Sequence, residues 1–165
     1  MRVYIPATFA MLKELEADSS IHARSGWGFA ATPALTEFFS SGGDEEEIEA
    51  VAFDDAALAS LRLLAIGDEP DFPHRRVVIS VDADATPEPE MGESVVKLAG
   101  PIALEDVAAI HVDIADAEEA TKKATQLIDA ADLGDQDAEL AVGDAQDNYL
   151  AFYHPDELPF LIELL

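Results

Sequence analysis

Apolar and polar positions change period along the chain, and each change marks an element. Arg2 to Ile5 alternates polar and apolar and reads as a first strand, which Pro6 ends. Thr8 is placed to cap a helix running to about Asp18, with Phe9, Leu12 and Leu15 on one side. Ser19 to Ser25 is polar and reads as a loop, and Trp27 and Phe29 mark a short strand. Thr32-Pro33 opens a helix, because a hydroxyl cap is followed by a residue with no N–H to leave unpaired. Leu35, Phe38 and Phe39 supply its buried side, and Ser41-Gly42-Gly43 stops it. Asp44 to Glu47 is a solvated turn or a helix start, and Ile48 to Phe53 is apolar enough for a strand. Asp54 or Asp55 then caps a helix carrying Leu58, Leu61, Leu64 and Ala65, ended by Gly67 and Pro70.

The second half is patterned more clearly. Arg76 to Ala83 is a strand with Val77, Ile79 and Val81 on one face, and Asp84 to Glu93, with Pro87 and Pro89, is a loop. Val95 to Leu98 adds a short strand before Gly100-Pro101. Val107 to Ile114 is a strand whose Ile110, Val112 and Ile114 share a face. Asp116 and Glu119 have capping-box spacing, and Ala117, Ala120, Ala124, Leu127, Ile128 and Ala131 follow at helical steps. Asp132 to Asp147 is polar and acidic and reads as a loop; Asn148 to His154 is a last strand. Pro155 opens a closing helix with Leu158, Leu161, Ile162 and Leu165 aligned.

From Ile48 onward this order is strand, helix, strand, strand, helix, strand. It predicts an α+β fold: a ferredoxin-like βαββαβ core over 48–154 in a single domain, with an N-terminal extension over 1–43 and a closing helix over 155–165. The alternative is an irregular α/β sheet with helices on both sides. If helices cover one face only, the aliphatic rows point at them and the opposite rows face outward. Those outward rows hold Ser80 and Asp82, then His111 and Asp113, with Tyr149 and Tyr153 from the last strand; Phe152 falls on the other side from the tyrosines. A one-residue change of register reverses the assignment.

His111-x-Asp113 is the best chemical candidate on that face. Two residues apart on a strand, the carboxylate could orient the imidazole and raise its pKa, making a general acid or base. Asp82 nearby could complete a site for a divalent metal, although no second ligand motif exists and no metal is assigned. The plainer reading is a polar pair facing solvent or a contact surface. Ser80, Tyr149 and Tyr153 are candidate ligand-binding residues on the same grounds. Stacking on a nucleic-acid base is disfavoured, because the basic and Gly-aromatic signature of RNA-binding sheets is absent.

Other strings carry less. Gly26-Trp27-Gly28-Phe29-Ala30-Ala31 fits a relaxed dinucleotide fingerprint without the strand before it, so chance or a tight turn explains it better. Asp135-Gln136-Asp137-Ala138-Glu139 begins like a calcium loop, but Leu140 stands where that loop needs Gly. His74-Arg75-Arg76 is the one basic cluster, suited to a phosphate or carboxylate, and more simply to neutralising acidic neighbours beside a strand.

Charge narrows the classes. Thirty-five Asp and Glu against nine Lys and Arg leave a net −26 on 165 residues, which opposes binding to nucleic-acid phosphates or anionic lipid. Residues 1–80 hold 14 acids and 6 bases, and residues 81–165 hold 21 acids and 3 bases. A 49% hydrophobic content excludes the composition of a disordered chain. The absence of Cys excludes disulfides and thiolate chemistry. Met1 to Pro6 lacks the apolar run of a signal peptide, and no stretch approaches the ~20 apolar residues of a membrane span, so a cytoplasmic location is expected.

Four segments are distinctive together: Met1-Arg2-Val3-Tyr4-Ile5-Pro6-Ala7-Thr8, Thr32-Pro33-Ala34-Leu35, Ala59-Ser60-Leu61-Arg62-Leu63-Leu64 and Val107-Ala108-Ala109-Ile110-His111-Val112-Asp113. Through them the chain resembles an uncharacterised family of actinobacterial proteins of about 160 residues, with no established activity to carry over. That resemblance implies a bacterial cytosolic origin. The pattern leads to a small, acidic, non-catalytic binding or interaction module. Its partner would be a second copy of the chain or a basic protein, with no cofactor, no direct nucleic acid and no membrane. Two other classes stay open: a small-molecule enzyme centred on His111 and Asp113, and an acidic decoy for the basic groove of another protein.

Overall fold

The computed structural model describes residues 1–39, 43–67 and 72–164. Its elements are β1 (Arg2–Ala7), α1 (Phe9–Asp18), β2 (Ser20–Ile21), β3 (Trp27–Phe29), α2 (Pro33–Phe38), α3 (Glu45–Ile66), β4 (Val77–Asp82) and β5 (Ala85–Pro87). They continue with β6 (Val95–Leu98), β7 (Ile102–Ala103), β8 (Val107–Asp113), α4 (Glu118–Asp132), α5 (Gln136–Gln146), β9 (Leu150–Tyr153) and α6 (Leu158–Glu163). Seven strands form one antiparallel sheet in the order β5-β6-β3-β1-β4-β8-β9, and β2 pairs with β7 beside it. The class is α+β.

Alternation along the central strands builds two interiors. Val3, Ile5, Val77, Ile79, Ile110 and Val112 face α1 and α6, meeting Phe9, Leu12 and Leu15 on the first and Leu158 and Leu161 on the second. The opposite row, with Tyr4 and Val78, packs on Leu35 of α2 and on Ile48, Ala52, Ala56 and Ala57 of α3. Leu61 then joins Ala124, Ile128 and Ala145, which ties α3 to α4 and α5. Helices therefore pack on both faces, as in the alternative arrangement, and among the described residues neither face is left wholly uncovered.

The ferredoxin-like reading fails at its first strand. Ile48 to Phe53 lies inside α3, whose N-cap is Asp44, with its side chain accepting from Glu47 N at 2.9 Å. Three glutamates fill the first turn, where the helix dipole favours anions, and the Ala-rich stretch beyond has high helix propensity. Asp54 and Asp55 are consequently mid-helix rather than caps. Gly67, at φ 83°, ends the helix as expected.

Other expectations change as well. Pro6 stays within β1 opposite Val78; β1 bridges β3 only at Tyr4–Phe29 among the described residues, so on that side no ladder bond is lost beside it. Asp132 to Asp147 is not a loop: Asp135 caps α5, and Ala138, Ala141 and Ala145 form its small buried stripe. The Asp116–Glu119 box is not made, because a short 3-10 turn over Ala115–Ala117 leads into α4 with Ala117 at the cap. The loops expected at 19–25 and 84–93 contain the short strands β2 and β5. The Thr8 and Thr32 caps form, accepting from Met11 N and Leu35 N. Phe38, expected on the buried side of α2, is exposed. The stops read at Ser41-Gly42 and Pro70, and the place of Leu165, lie outside the described residues.

The Gly26–Ala31 string resolves into packing. Gly26 has φ 77° and makes a tight turn. A Cβ on Gly28 would lie 2.7 Å from Val3 Cγ1 and 3.0 Å from Ile5 Cδ1, both fully buried. Gly28→Ala is therefore expected to push β3 off β1 and lower stability by about 1–3 kcal/mol. A urea midpoint equal to that of the parent protein would show that β3 can move without cost.

Candidate functional site

The long helix α3 decides where clefts can form. Its alanines let it lie close on the sheet, and buried Ser60 pins its C-terminal half. The Ser60 hydroxyl donates to Ala7 O at 2.8 Å and accepts from Val77 N at 2.9 Å, at the paired ends of β1 and β4. The N-terminal half presents Glu46, Glu49, Ala50, Phe53 and Asp54, which are spaced at helical steps along one flank.

That flank and the sheet enclose a cleft of about 370 Å³. Tyr4, Phe53 and Phe152 supply its rings, Ser80 and His111 its polar floor, and Glu46, Glu49 and Asp54 its carboxylates, with Arg2 at the same opening. The rings meet edge to face. Phe53 lies 4.8 Å from His111 at 82° and 5.7 Å from Tyr4 at 81°, while Phe152 lies 5.9 Å from His111 at 73°. Ser80 Oγ and His111 Nε2 are hydrogen-bonded at 2.9 Å. Burial, helped by the positive charge of Arg2, pushes the His111 imidazole from 6.5 down to about 4, so the ring is neutral at pH 7. Burial and then the neighbouring Asp55 raise the Asp54 carboxyl, against the attraction of Arg76. Arg2 is engaged with Asp82, its Nε donating to Oδ1 at 2.9 Å, and that bond holds the Asp82 carboxyl below its usual range.

The candidate residues thus separate. His111 and Ser80 share the cleft, beneath one edge of α3 rather than on an open face. Asp113 is 1% exposed and serves Arg76 instead of His111. It accepts from Arg76 Nε at 3.0 Å, Arg76 Nη2 at 2.8 Å and Arg76 N at 2.8 Å, and Thr121 Oγ1 donates to it at 3.3 Å. Arg76 is completed by Gln146 Oε1 and Asn148 O, both at 2.8 Å. Asp82 is held by Arg2 at the exposed end of β4 and pairs across the sheet with Arg2, whereas His111 pairs with Val78. The proposed metal set is therefore not assembled, and among the described residues no group of three or more His, Asp or Glu is arranged to hold a metal.

Register settles the aromatics. Ile110 pairs with Tyr153 and His111 with Phe152, so Phe152 shares the face of His111, and Tyr153 packs on the opposite interior. Tyr149 precedes β9 and is exposed. The residues missed by sequence reasoning are Tyr4, Phe53, Phe152 and the three carboxylates. The signal was the spacing of Glu46, Glu49, Phe53 and Asp54, which becomes a stripe once 45–66 is read as helix. The basic cluster neutralises neighbours: Arg75 Nε donates to Glu118 at 2.6 Å, and Arg76 pairs with Asp113.

A model of a family of unknown function, DUF6912, matches residues 1–162, and the chain belongs to that family. No curated protein matches the chain, and no solved structure does. Among the described residues no helix is long and apolar enough to cross a membrane.

Proposed function

We propose that this member of the family is a non-catalytic, cytoplasmic binding module whose cleft beside His111 takes a small organic cation. The observation that carries the reading is the convergence of three aromatic rings and three carboxylates on one cleft of about 370 Å³. Aromatic faces attract a cation by about 0.5–2 kcal/mol each, more as water is excluded. The neutral His111 adds a ring without opposing charge, and Arg2 is drawn towards Asp82. The net charge of −26 raises the local concentration of cations. An alkylammonium group, free or carried on the side chain of a basic partner, has the matching chemistry.

Two-dimensional NMR with butyltrimethylammonium as the probe tests this. Saturable shifts at His111 and Phe53 are expected, lost in Phe53→Ala and not reproduced by 3,3-dimethylbutan-1-ol, in which a neutral tert-butyl group of the same shape replaces the trimethylammonium head. Equal shifts from both compounds, or none from the cation, would refute the reading.

The 2.9 Å contact between Ser80 and His111 favours one second reading, an acyl-transfer pair. Attack by Ser80 would leave a proton on His111 Nε2. Burial opposes that imidazolium, and the carboxylate that could stabilise it, Asp113, is taken by Arg76. Incubation with a fluorophosphonate is therefore expected to leave the intact mass unchanged. A single adduct at Ser80, absent in His111→Gln, would move the protein to the enzyme class.

A further inference from the structure

We infer that a second cleft, on the other flank of α3, binds a small apolar carboxylate. It lies against β3 and β6 and has a volume of about 250 Å³. Trp27, Phe29, Leu63, Met91 and Val95 make its walls apolar. Among the described residues its lining carries one charge, Arg24, and no acid, in a chain with almost four acids for every base. Lys97 reinforces that sign. It pairs across the sheet with Trp27, places Nζ 4.4 Å from the Trp27 ring centroid and donates to Ser25 O at 3.3 Å. The ion pairs among the described residues use Arg2, Arg62, Arg75, Arg76 and His154, so neither Arg24 nor Lys97 is spent on a carboxylate there.

The backbone beside the cleft is strained. Ser25 has φ 58° and Gly26 φ 77°, so a non-glycine residue occupies the left-handed region within the turn that carries Arg24 to the cleft. Strain of this kind persists where the surroundings hold it, and binding sites are one such place. Charge selects the occupant. The His111 cleft has carboxylates and suits a cation, whereas this one has a guanidinium beside apolar walls, with the Lys97 ammonium near its Trp27, and suits an anion with a hydrocarbon body. Its volume falls below the drug-sized range of about 300–1,000 Å³, which limits the ligand to a short alkyl or a single-ring aryl carboxylate. The carboxylate would pair with Arg24 while the hydrocarbon covers Trp27 and Leu63. Long-range repulsion from the net charge is screened beyond about 8 Å at physiological ionic strength, so the local cations govern affinity.

Trp27 is the single tryptophan of the chain, so its fluorescence reports on this cleft directly. Octanoate is expected to change the Trp27 emission saturably. Octylammonium is expected to need at least tenfold higher concentration for the same change, and butyltrimethylammonium to leave Trp27 unmoved. Arg24→Gln should weaken octanoate at least fivefold and Arg24→Lys should restore most of it. Leu63→Glu, at a half-buried position on α3, should abolish the response while circular dichroism stays that of the parent. Equal responses to octanoate and octylammonium would reduce the cleft to a non-selective apolar surface and overturn the inference, as would an emission that octanoate leaves unchanged. Failure here leaves the His111 reading standing, since that site is read through different residues and an opposite charge.

Discussion

Asp113→Ala is expected to lower the unfolding free energy by about 3–5 kcal/mol, the largest single effect anticipated for this fold. Arg76 and Asp113 are each 1% exposed, so removing the carboxylate leaves a guanidinium in the interior with only the Gln146 and Asn148 oxygens. It also leaves the Arg76 N–H and the Thr121 hydroxyl without their acceptor. With total stabilities of about 5–15 kcal/mol typical of domains, such a variant is marginal. The double substitution Arg76→Met with Asp113→Leu removes both charges and is expected to recover a large part of the loss. Urea unfolding of the two variants gives the comparison. If the single variant costs less than about 1 kcal/mol, the pair is solvated and the interior drawn around it is wrong. Asp82→Ala is the control, because its bond to Arg2 is exposed and its loss should leave the midpoint almost unchanged.

Acidification should remove stability through His111, by up to about 3 kcal/mol between neutral pH and pH 4. The sign follows from where the proton binds. The unfolded imidazole takes up a proton near 6.5, but the folded one, desolvated by Phe53 and its surroundings, does so only at about 4. Across that window the unfolded state holds the extra proton, so falling pH favours unfolding. The contribution is full above about 6.5, is lost stepwise below it, and changes no further below about 4. Neutralising part of the −26 charge relieves repulsion and acts in the opposite direction, so the test is a difference. His111→Gln should lose less stability than the parent protein between pH 7 and 4.5. The imidazole resonances of His111 should titrate with a midpoint near 4, and a midpoint near 6.5 would remove both the burial argument and the neutral ring from the cleft.

The two clefts depend on one element. α3 uses its alanines for the sheet and leaves Glu46, Glu49, Phe53 and Asp54 for one flank, Ala59 and Leu63 for the other. A helix with larger residues at 52, 56 and 57 would ride higher on the sheet and widen both clefts. The tight approach is what holds Phe53 edge-on against Tyr4 and His111.

Much of the local structure was legible in the residues. Thr8, Thr32 and Gly67 mark helix ends through chemistry that needs no distant partner, and the aliphatic alternation of 77–81 and 110–112 identifies central strands. The first half of α3 and the whole of α5 were missed for the same reason. Ala52, Ala56 and Ala57 on α3, and Ala138, Ala141 and Ala145 on α5, bury stripes so small that a hydrophobicity pattern scarcely registers them. Of the two readings of Asp44 to Glu47, a solvated turn or a helix start, the structure takes the second, with Asp44 as the cap and three glutamates in the first turn. Phe152 was assigned to the wrong side of the sheet because alternation within β9 gives two equivalent answers, and only its pairing with His111 selects one.

What this chain determined alone is therefore the helix ends marked by Thr8, Thr32 and Gly67, the aliphatic rows of its central strands and its charge, each a property of neighbours in sequence. Tertiary structure decided the partner of every functional side chain. Asp113 and His111 stand two residues apart on one strand, yet the carboxylate goes to Arg76 and the imidazole to Ser80 and two phenylalanines. Burial makes that choice: a desolvated carboxylate requires a charged partner, a desolvated imidazole can give up its proton, and which groups are desolvated depends on the helix that comes to lie above them.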